Sequence, residues 1–202
     1  IKQKDIICIA DEVMTGFGRT GKMFASEYLQ TKPDIICLSK GLTGGTMALS
    51  VTACSENIYN AFVDEDAKKT FFHGHTFTAN PIASACAVAS LELFKKEKTL
   101  DQVNSIIPYF HEKMKSFLNL PHAGDVRYCG VIAAIELVKN KRTKEPYSIN
   151  ERIGLKIYKE GLKRKLILRP LGNIVYFFLP LCIKKHEIDY ITDTTYDILS
   201  KI

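Results

Sequence analysis

Residues 33–46 read Pro33-Asp34-Ile35-Ile36-Cys37-Leu38-Ser39-Lys40-Gly41-Leu42-Thr43-Gly44-Gly45-Thr46. The short apolar run Ile35 to Leu38, bounded by turn residues, reads as a strand covered on both faces. It ends at a lysine, and a glycine-rich turn follows. A second apolar run, Ile6 to Ala10, lies upstream and closes on Asp11-Glu12, which places Asp11 29 residues before Lys40. Ala48 to Cys54 is a third such run. Asn80-Pro81 is a helix start, with asparagine as the cap and proline at the first helical position. The helix continues through Ala83, Ala85, Ala87 and Ala89 toward Phe94, and its small residues permit close packing. Strands and helices alternate, so the first part reads as α/β with a mainly parallel sheet.

The charged stretch Lys95-Lys96-Glu97-Lys98 marks the expected boundary between a domain of residues 1–96 and one of residues 97–202. In the second part Leu100 to Leu118 is amphipathic, with a kink expected at Pro108. Val131 to Val138 reads as a strand and Ile149 to Lys165 as a helix. Leu166 to Leu168 and Ile174 to Leu179 read as a strand pair around Leu171-Gly172-Asn173, and His186 to Leu199 as a terminal helix. This pattern is α+β.

Composition excludes several classes. Hydrophobic residues make up 46% of the 202, enough for a sizeable core, and no run approaches the roughly 20 apolar residues of a membrane helix. Residues 1–96 balance ten Lys+Arg against ten Asp+Glu, so the net +6 falls wholly in the second part. There the lysines interleave with acids along helical stretches and no aromatic-basic platform occurs, which reads as solvated helix faces rather than a nucleic-acid surface. The six cysteines, Cys8, Cys37, Cys54, Cys86, Cys129 and Cys182, form no CxxC pair. They read as small buried residues in a reducing, cytoplasmic compartment. His73 and His75 alternate without a third ligand nearby, so no metal site is expected. The chain opens without methionine in a strand-like run, from which an upstream segment is expected. On that expectation the 202 residues alone form an inactive, poorly soluble piece.

A strand ending in a carboxylate beside one ending in a lysine is the arrangement that pyridoxal phosphate chemistry requires. The lysine bonds covalently to the cofactor aldehyde, and the carboxylate holds the proton on the pyridine nitrogen. Alone, Lys40 reads more readily as a solvated loop lysine and Asp11-Glu12 as a helix cap. The flanking text decides. Asp11-Glu12-Val13-Met14-Thr15-Gly16-Phe17-Gly18-Arg19-Thr20-Gly21, then Pro33-Asp34-Ile35-Ile36 leading to Ser39-Lys40-Gly41-Leu42, then His73-Gly74-His75-Thr76-Phe77 before Asn80-Pro81, together resemble the class III aminotransferases of the pyridoxal phosphate fold type I. The resemblance implies the C-terminal portion of that fold's large domain, followed by its small C-terminal domain. Leu42 to Ser50 and Leu168 to Tyr176 resemble the branch of biotin synthesis that aminates 8-amino-7-oxononanoate with S-adenosylmethionine as donor. Another class III activity, on ornithine, 4-aminobutyrate or another ω-amine, is the alternative.

The resemblance assigns roles residue by residue. Lys40 is the catalytic lysine; an ordinary lysine amine is mostly protonated at neutral pH, and arginine could not replace it because it stays charged. Asp11 pairs with the pyridine nitrogen. Val13 packs on the ring face or in the core. Gly74, His75 and Thr76 lie at the cofactor phosphate and substrate mouth, reaching the partner subunit's site in a homodimer. Thr76 offers a hydroxyl and an N–H, Gly74 permits close backbone approach, and His75 contributes its backbone rather than its side chain. Arg169 binds the substrate carboxylate through its guanidinium fork. Tyr176 lines the same pocket or the core, and Arg19 shapes its turn. The segment Gly41 to Thr46 lacks the Gly-Lys-Ser/Thr ending of a nucleotide loop.

Overall fold

A computed structural model describes residues 6–202, which divide between Leu100 and Asp101 into two compact units. The first unit holds a three-stranded sheet of β1 (Ile9–Asp11), β2 (Ile35–Leu38) and β3 (Val51–Cys54), followed by helices α1 (Glu56–Asn60) and α2 (Pro81–Lys96). β1 and β2 run parallel, with Ile9 opposite Ile35 and Asp11 opposite Cys37. β3 returns antiparallel to β2, pairing Leu38 with Val51 and Ile35 with Cys54. The reversal between them is made by the glycine-rich stretch. A single 3-10 turn, Lys40–Thr43, is followed by Gly44 and Gly45 at φ +60° and +82°, a region that costs a side chain energy and glycine none. The Thr43 hydroxyl donates to the Met47 carbonyl at 2.6 Å and the Ser39 hydroxyl to the Leu49 carbonyl at 2.8 Å. The stretch is therefore a strand-reversing turn.

The Asn80 carboxamide caps α2, accepting from the Ile82 and Ala83 amides at 3.0 and 3.1 Å. Ala83 and Ala87, one turn apart, form its buried face, whereas Ala85 and Ala89 are exposed. A small core joins Phe17, Leu42 and Ala87, with Met23, Phe24, Leu38, Leu49 and Leu91 packed around it.

The second unit contains α3 (Thr99–Ser116), which begins at its margin, then β4 (Ala123–Cys129), β5 (Ile132–Asn140), β6 (Glu145–Pro146), α4 (Ile153–Lys163), β7 (Ile174–Phe178) and α5 (Lys185–Leu199). β4 and β7 flank β5, both antiparallel to it. Ala133, Ile135 and Leu137 alternate inward along β5, meeting Val175 and Phe177 of β7. Phe110 and Met114 of α3, Ile157 of α4 and Ile188, Ile198 and Leu199 of α5 complete this core.

The structure corrects several expectations. β4 is an additional strand. Ile149 to Lys165 is interrupted: a 3-10 turn Ile149–Glu151 ends at Arg152, whose φ of +47° breaks the helix before α4. Residues 166–168 form no strand, and β7 pairs with β5. The Leu166 amide instead donates to the Gly161 carbonyl at 2.9 Å, and Leu166 and Leu168 are buried. Glycines in α4 make room for this crossing. A Cβ on Gly161 would stand 2.6 Å from the Leu166 carbonyl oxygen, and one on Gly154 2.5 Å from that of Gly172. Gly154→Ala should therefore displace backbone and destabilise the protein by about 1–3 kcal/mol, read as a lowered denaturant midpoint at constant slope. Pro108 sits inside α3 without dividing it. None of the six cysteines is fully buried; all are free, and Cys54, Cys129 and Cys182 are exposed.

Candidate active site

Because β1 and β2 are parallel neighbours, both deliver their C-terminal ends to one edge of the sheet, where open α/β sheets bind ligands. Asp11 ends β1, and Lys40 follows β2 by two residues. The Asp11 carboxylate is exposed, and its Oδ1 accepts from the Val13 amide at 3.1 Å. This local turn orients the carboxyl group and leaves Oδ2 without a partner among the described residues. Val13 is half-buried. Lys40 is exposed, and its amine makes no ion pair or hydrogen bond among the described residues. Its backbone is left-handed, at φ +42°, a conformation uncommon for a residue with a Cβ that points to strain imposed by its surroundings. Those surroundings are tight: a Cβ on the next residue, Gly41, would lie 2.9 Å from the Phe17 ring. A free carboxylate oxygen and a free amine at one sheet edge fit pyridoxal phosphate, with Asp11 toward the ring nitrogen and Lys40 as the covalent anchor.

Glu12, which the sequence left as half of a cap pair, is the buried acid of this region, 2% exposed. Its carboxylate accepts from the Thr15 hydroxyl, from the Ala25 amide at 3.0 Å and from the Ser26 amide at 2.6 Å. Burial works to raise its pKa. The hydrogen bonds from Thr15 and from the Ser26 and Ala25 amides together outweigh that, and the carboxyl is held below the usual range. A depressed folded-state value means that Glu12 stabilises the fold above the ordinary carboxylate pKa and loses that contribution as pH falls through the lowered one. One sequence signal could have marked it: residues 13–26 hold no acid, and the glycines there mark a turn whose backbone N–H groups need acceptors.

Gly74, His75 and Thr76 lie in an exposed loop of the first unit. The His75 Nδ1 accepts from the Phe77 amide at 3.2 Å, and the His75 amide donates to the Thr78 hydroxyl at 3.1 Å. The imidazole thus shapes its own turn. A Cβ on Gly74 would meet nothing within 4 Å, so no neighbour in this chain requires glycine there. No hydrogen bond joins the loop to Asp11 or Lys40 among the described residues. Arg169 and Tyr176 belong to the second unit. Arg169 is exposed on the segment that crosses α4, while Tyr176 is half-buried in β7 opposite Ala134. Among the described residues no group of three or more His, Cys, Asp or Glu could hold a metal.

A carboxylate and a lysine at one edge of a parallel strand pair are groups that a pyridoxal phosphate site of fold type I could use. Comparison with known proteins agrees: the family Aminotransferase class-III matches residues 1–199, and the chain belongs to it. Members of this family depend on pyridoxal phosphate. The chain is 48% identical over 190 residues to the adenosylmethionine-8-amino-7-oxononanoate aminotransferase of Geobacter sulfurreducens, covering 94% of this chain and 42% of that one. The crystal structure of the Methanocaldococcus jannaschii adenosylmethionine-8-amino-7-oxononanoate aminotransferase superposes with a TM-score of 0.94 at 41% identity, over 99% of this chain and 47% of that one. An (S)-enantioselective ω-transaminase from Thermomicrobium roseum superposes with a TM-score of 0.92 at 29% identity, over 99% and 44%. The chain thus spans under half the length of these relatives.

Proposed function

We propose that the chain serves a pyridoxal phosphate-dependent aminotransferase that moves an amino group from S-adenosylmethionine to 8-amino-7-oxononanoate, giving 7,8-diaminononanoate for biotin synthesis. The observation that carries this is the placing of Asp11 and Lys40 at one edge of a parallel strand pair, in a chain 48% identical to a relative of that name. The cofactor, when bound, supplies an electron sink for the charge left when the substrate carbon loses its proton. Asp11 keeps the ring nitrogen protonated. Lys40 would anchor the cofactor through Nζ, and its amine would serve as the base for the proton on the amine-bearing carbon. Val13 packs on the ring face. Thr76, with the backbone of Gly74 and His75, would hold the phosphate, and Arg169 and Tyr176 are the candidates to bind the substrate carboxylate and line its pocket. In this reading the unit ending at Leu100 belongs to the cofactor-binding large domain, and the rest is the small domain. The free cysteines fit a reducing compartment, and no helix of the described residues is long and apolar enough to cross a membrane. We read the enzyme as cytoplasmic.

A donor and acceptor panel on the protein from its complete reading frame tests the substrates. S-adenosylmethionine with 8-amino-7-oxononanoate should turn over; turnover only with ornithine, 4-aminobutyrate or another ω-amine would move the chain to a different branch of the family.

We further propose a homodimer in which Thr76 serves the partner's site. Phe71, Phe72 and Phe77 flank the loop and are all strongly exposed, Phe72 at 87%, as interface aromatics are before assembly. Mixing Lys40→Ala with Thr76→Ala subunits should give activity above either homodimer, since one site of each mixed dimer keeps both residues. No recovery, with mixed dimers confirmed by mass, would return Thr76 to its own subunit.

A further inference from the structure

Glu12 lies at the centre of a set of contacts that the proposed chemistry does not use. Its amide donates to the Cys37 carbonyl of β2 at 2.9 Å, directly beside Asp11. Its carbonyl accepts from Gly16 at 2.9 Å, and a Cβ on Gly16 would stand 2.8 Å from that same oxygen. Its buried carboxylate gathers Thr15, Ala25 and Ser26, folding residues 12–26 back on themselves. The fold-back is closed by the Phe17 amide, which donates to the Met23 carbonyl at 2.7 Å. Phe17 is thereby held at φ +61°, its ring edge-on to Phe24 at 5.7 Å. That ring presses on Gly41 and packs with Leu42, within the 3-10 turn that begins at Lys40. One carboxylate is therefore connected in two directions, through its backbone to the end of β1 and through its loop and Phe17 to the turn of Lys40.

We propose that Glu12 is a positioning residue that couples the placement of the Asp11 carboxylate to that of the Lys40 amine. The proposal rests on the assignment of Asp11 and Lys40 above and extends it to a residue that touches neither cofactor nor substrate. The carboxylate suits the task because both oxygens accept: one takes Thr15 and Ala25, the other Ser26. A carboxamide has a single acceptor oxygen, so Glu12→Gln must turn an NH2 toward at least one donor. The loop then loosens and Phe17 no longer braces Gly41.

The test uses the protein from its complete reading frame, loaded with pyridoxal phosphate. Borohydride trapping in the wild type first checks the underlying assignment: an adduct away from Lys40 defeats that assignment, whatever Glu12 does. With Lys40 established, Glu12→Gln should retain cofactor stoichiometry. Amide exchange should quicken both in residues 12–28 and in the Lys40–Gly45 turn by roughly tenfold or more, the factor that a lost charge-assisted hydrogen bond corresponds to. The pH midpoint of the bound cofactor's visible absorbance should move by at least about half a unit, and kcat should fall with KM little changed. Loosening confined to residues 12–28, with exchange at Lys40–Gly45, midpoint and kcat all as in the wild type, would reduce Glu12 to a loop staple and overturn the proposal. Should Glu12→Gln fail to fold, Thr15→Val decides. It removes one donor and keeps the charge, and it should move the same two segments by a smaller factor; an unchanged Lys40–Gly45 segment in that variant overturns the proposal equally.

Discussion

Lys40→Ala should lower amino transfer by on the order of 10²–10⁴-fold, the range of a lost acid–base group, while leaving the protein folded. The retained fold follows from the structure and the lost activity from the proposed role of Lys40. The side chain is exposed and makes no ion pair among the described residues, so its removal should alter stability by no more than about 0.5 kcal/mol. The expected loss of activity is large because, in the proposed mechanism, one atom, Nζ, would be both covalent anchor and proton carrier. Lys40→Arg should be as inactive, since a guanidinium stays charged and cannot take up a proton. Rates and denaturation midpoints measured on the same preparations check the two halves together. An active Lys40→Arg protein, or a Lys40→Ala protein that loses activity only by unfolding, would count against the assignment.

Asp11→Asn should retain the cofactor and slow amino transfer by roughly 10²–10³-fold, the scale of a preorganised electrostatic contact removed from a developing charge. Asparagine keeps the shape of the side chain and an oxygen able to accept from the Val13 amide. It lacks the negative charge that, in the proposed mechanism, would keep the ring nitrogen protonated. Single-turnover transfer isolates this step from substrate binding. A near-normal single-turnover rate in Asp11→Asn would show that the ring proton is held by another group.

The strands that place Asp11 and Lys40 were legible as short apolar runs with polar ends, whereas the reversal after Lys40 that makes β3 antiparallel to β2 was not read from its glycines. The cap of α2 was legible for a local reason: Asn80-Pro81 satisfies orphan amides without help from distant residues. β4 was not. Gly124, Asp125 and Arg127 break its apolar pattern, and only pairing with β5 explains them. Arg127 meets Asp125 at 3.0 Å and Glu136 of β5 at 3.5 Å, while Gly124 leaves room for Val138, which a Cβ would meet at 2.6 Å. Leu166 and Leu168 misled in the opposite sense. Their apolar spacing suits a strand, yet α4 takes them through glycines that carry no outward sign of that use.

The candidate site divides along the same line. Lys40 and Asp11 stand out in the sequence through the motif text that flanks them, since alone each reads as an ordinary charge at a strand end. Glu12 does not, since its partners Ala25 and Ser26 lie thirteen and fourteen residues away and contribute only backbone amides. The buried cysteines expected from the sequence failed for a related reason: an apolar run fixes the strand but not which of its faces is covered, and the β3 residues, Cys54 among them, are all exposed.

The central claim is that Lys40 carries the cofactor. The direct measurement is borohydride reduction of the protein from its complete reading frame, incubated with pyridoxal phosphate, followed by digestion and mass mapping of the modified peptide. The account predicts one modified lysine per chain, in the peptide containing Ser39-Lys40-Gly41, and no adduct there in Lys40→Ala. A stoichiometric adduct on any other lysine, or none in a folded wild type, would contradict it.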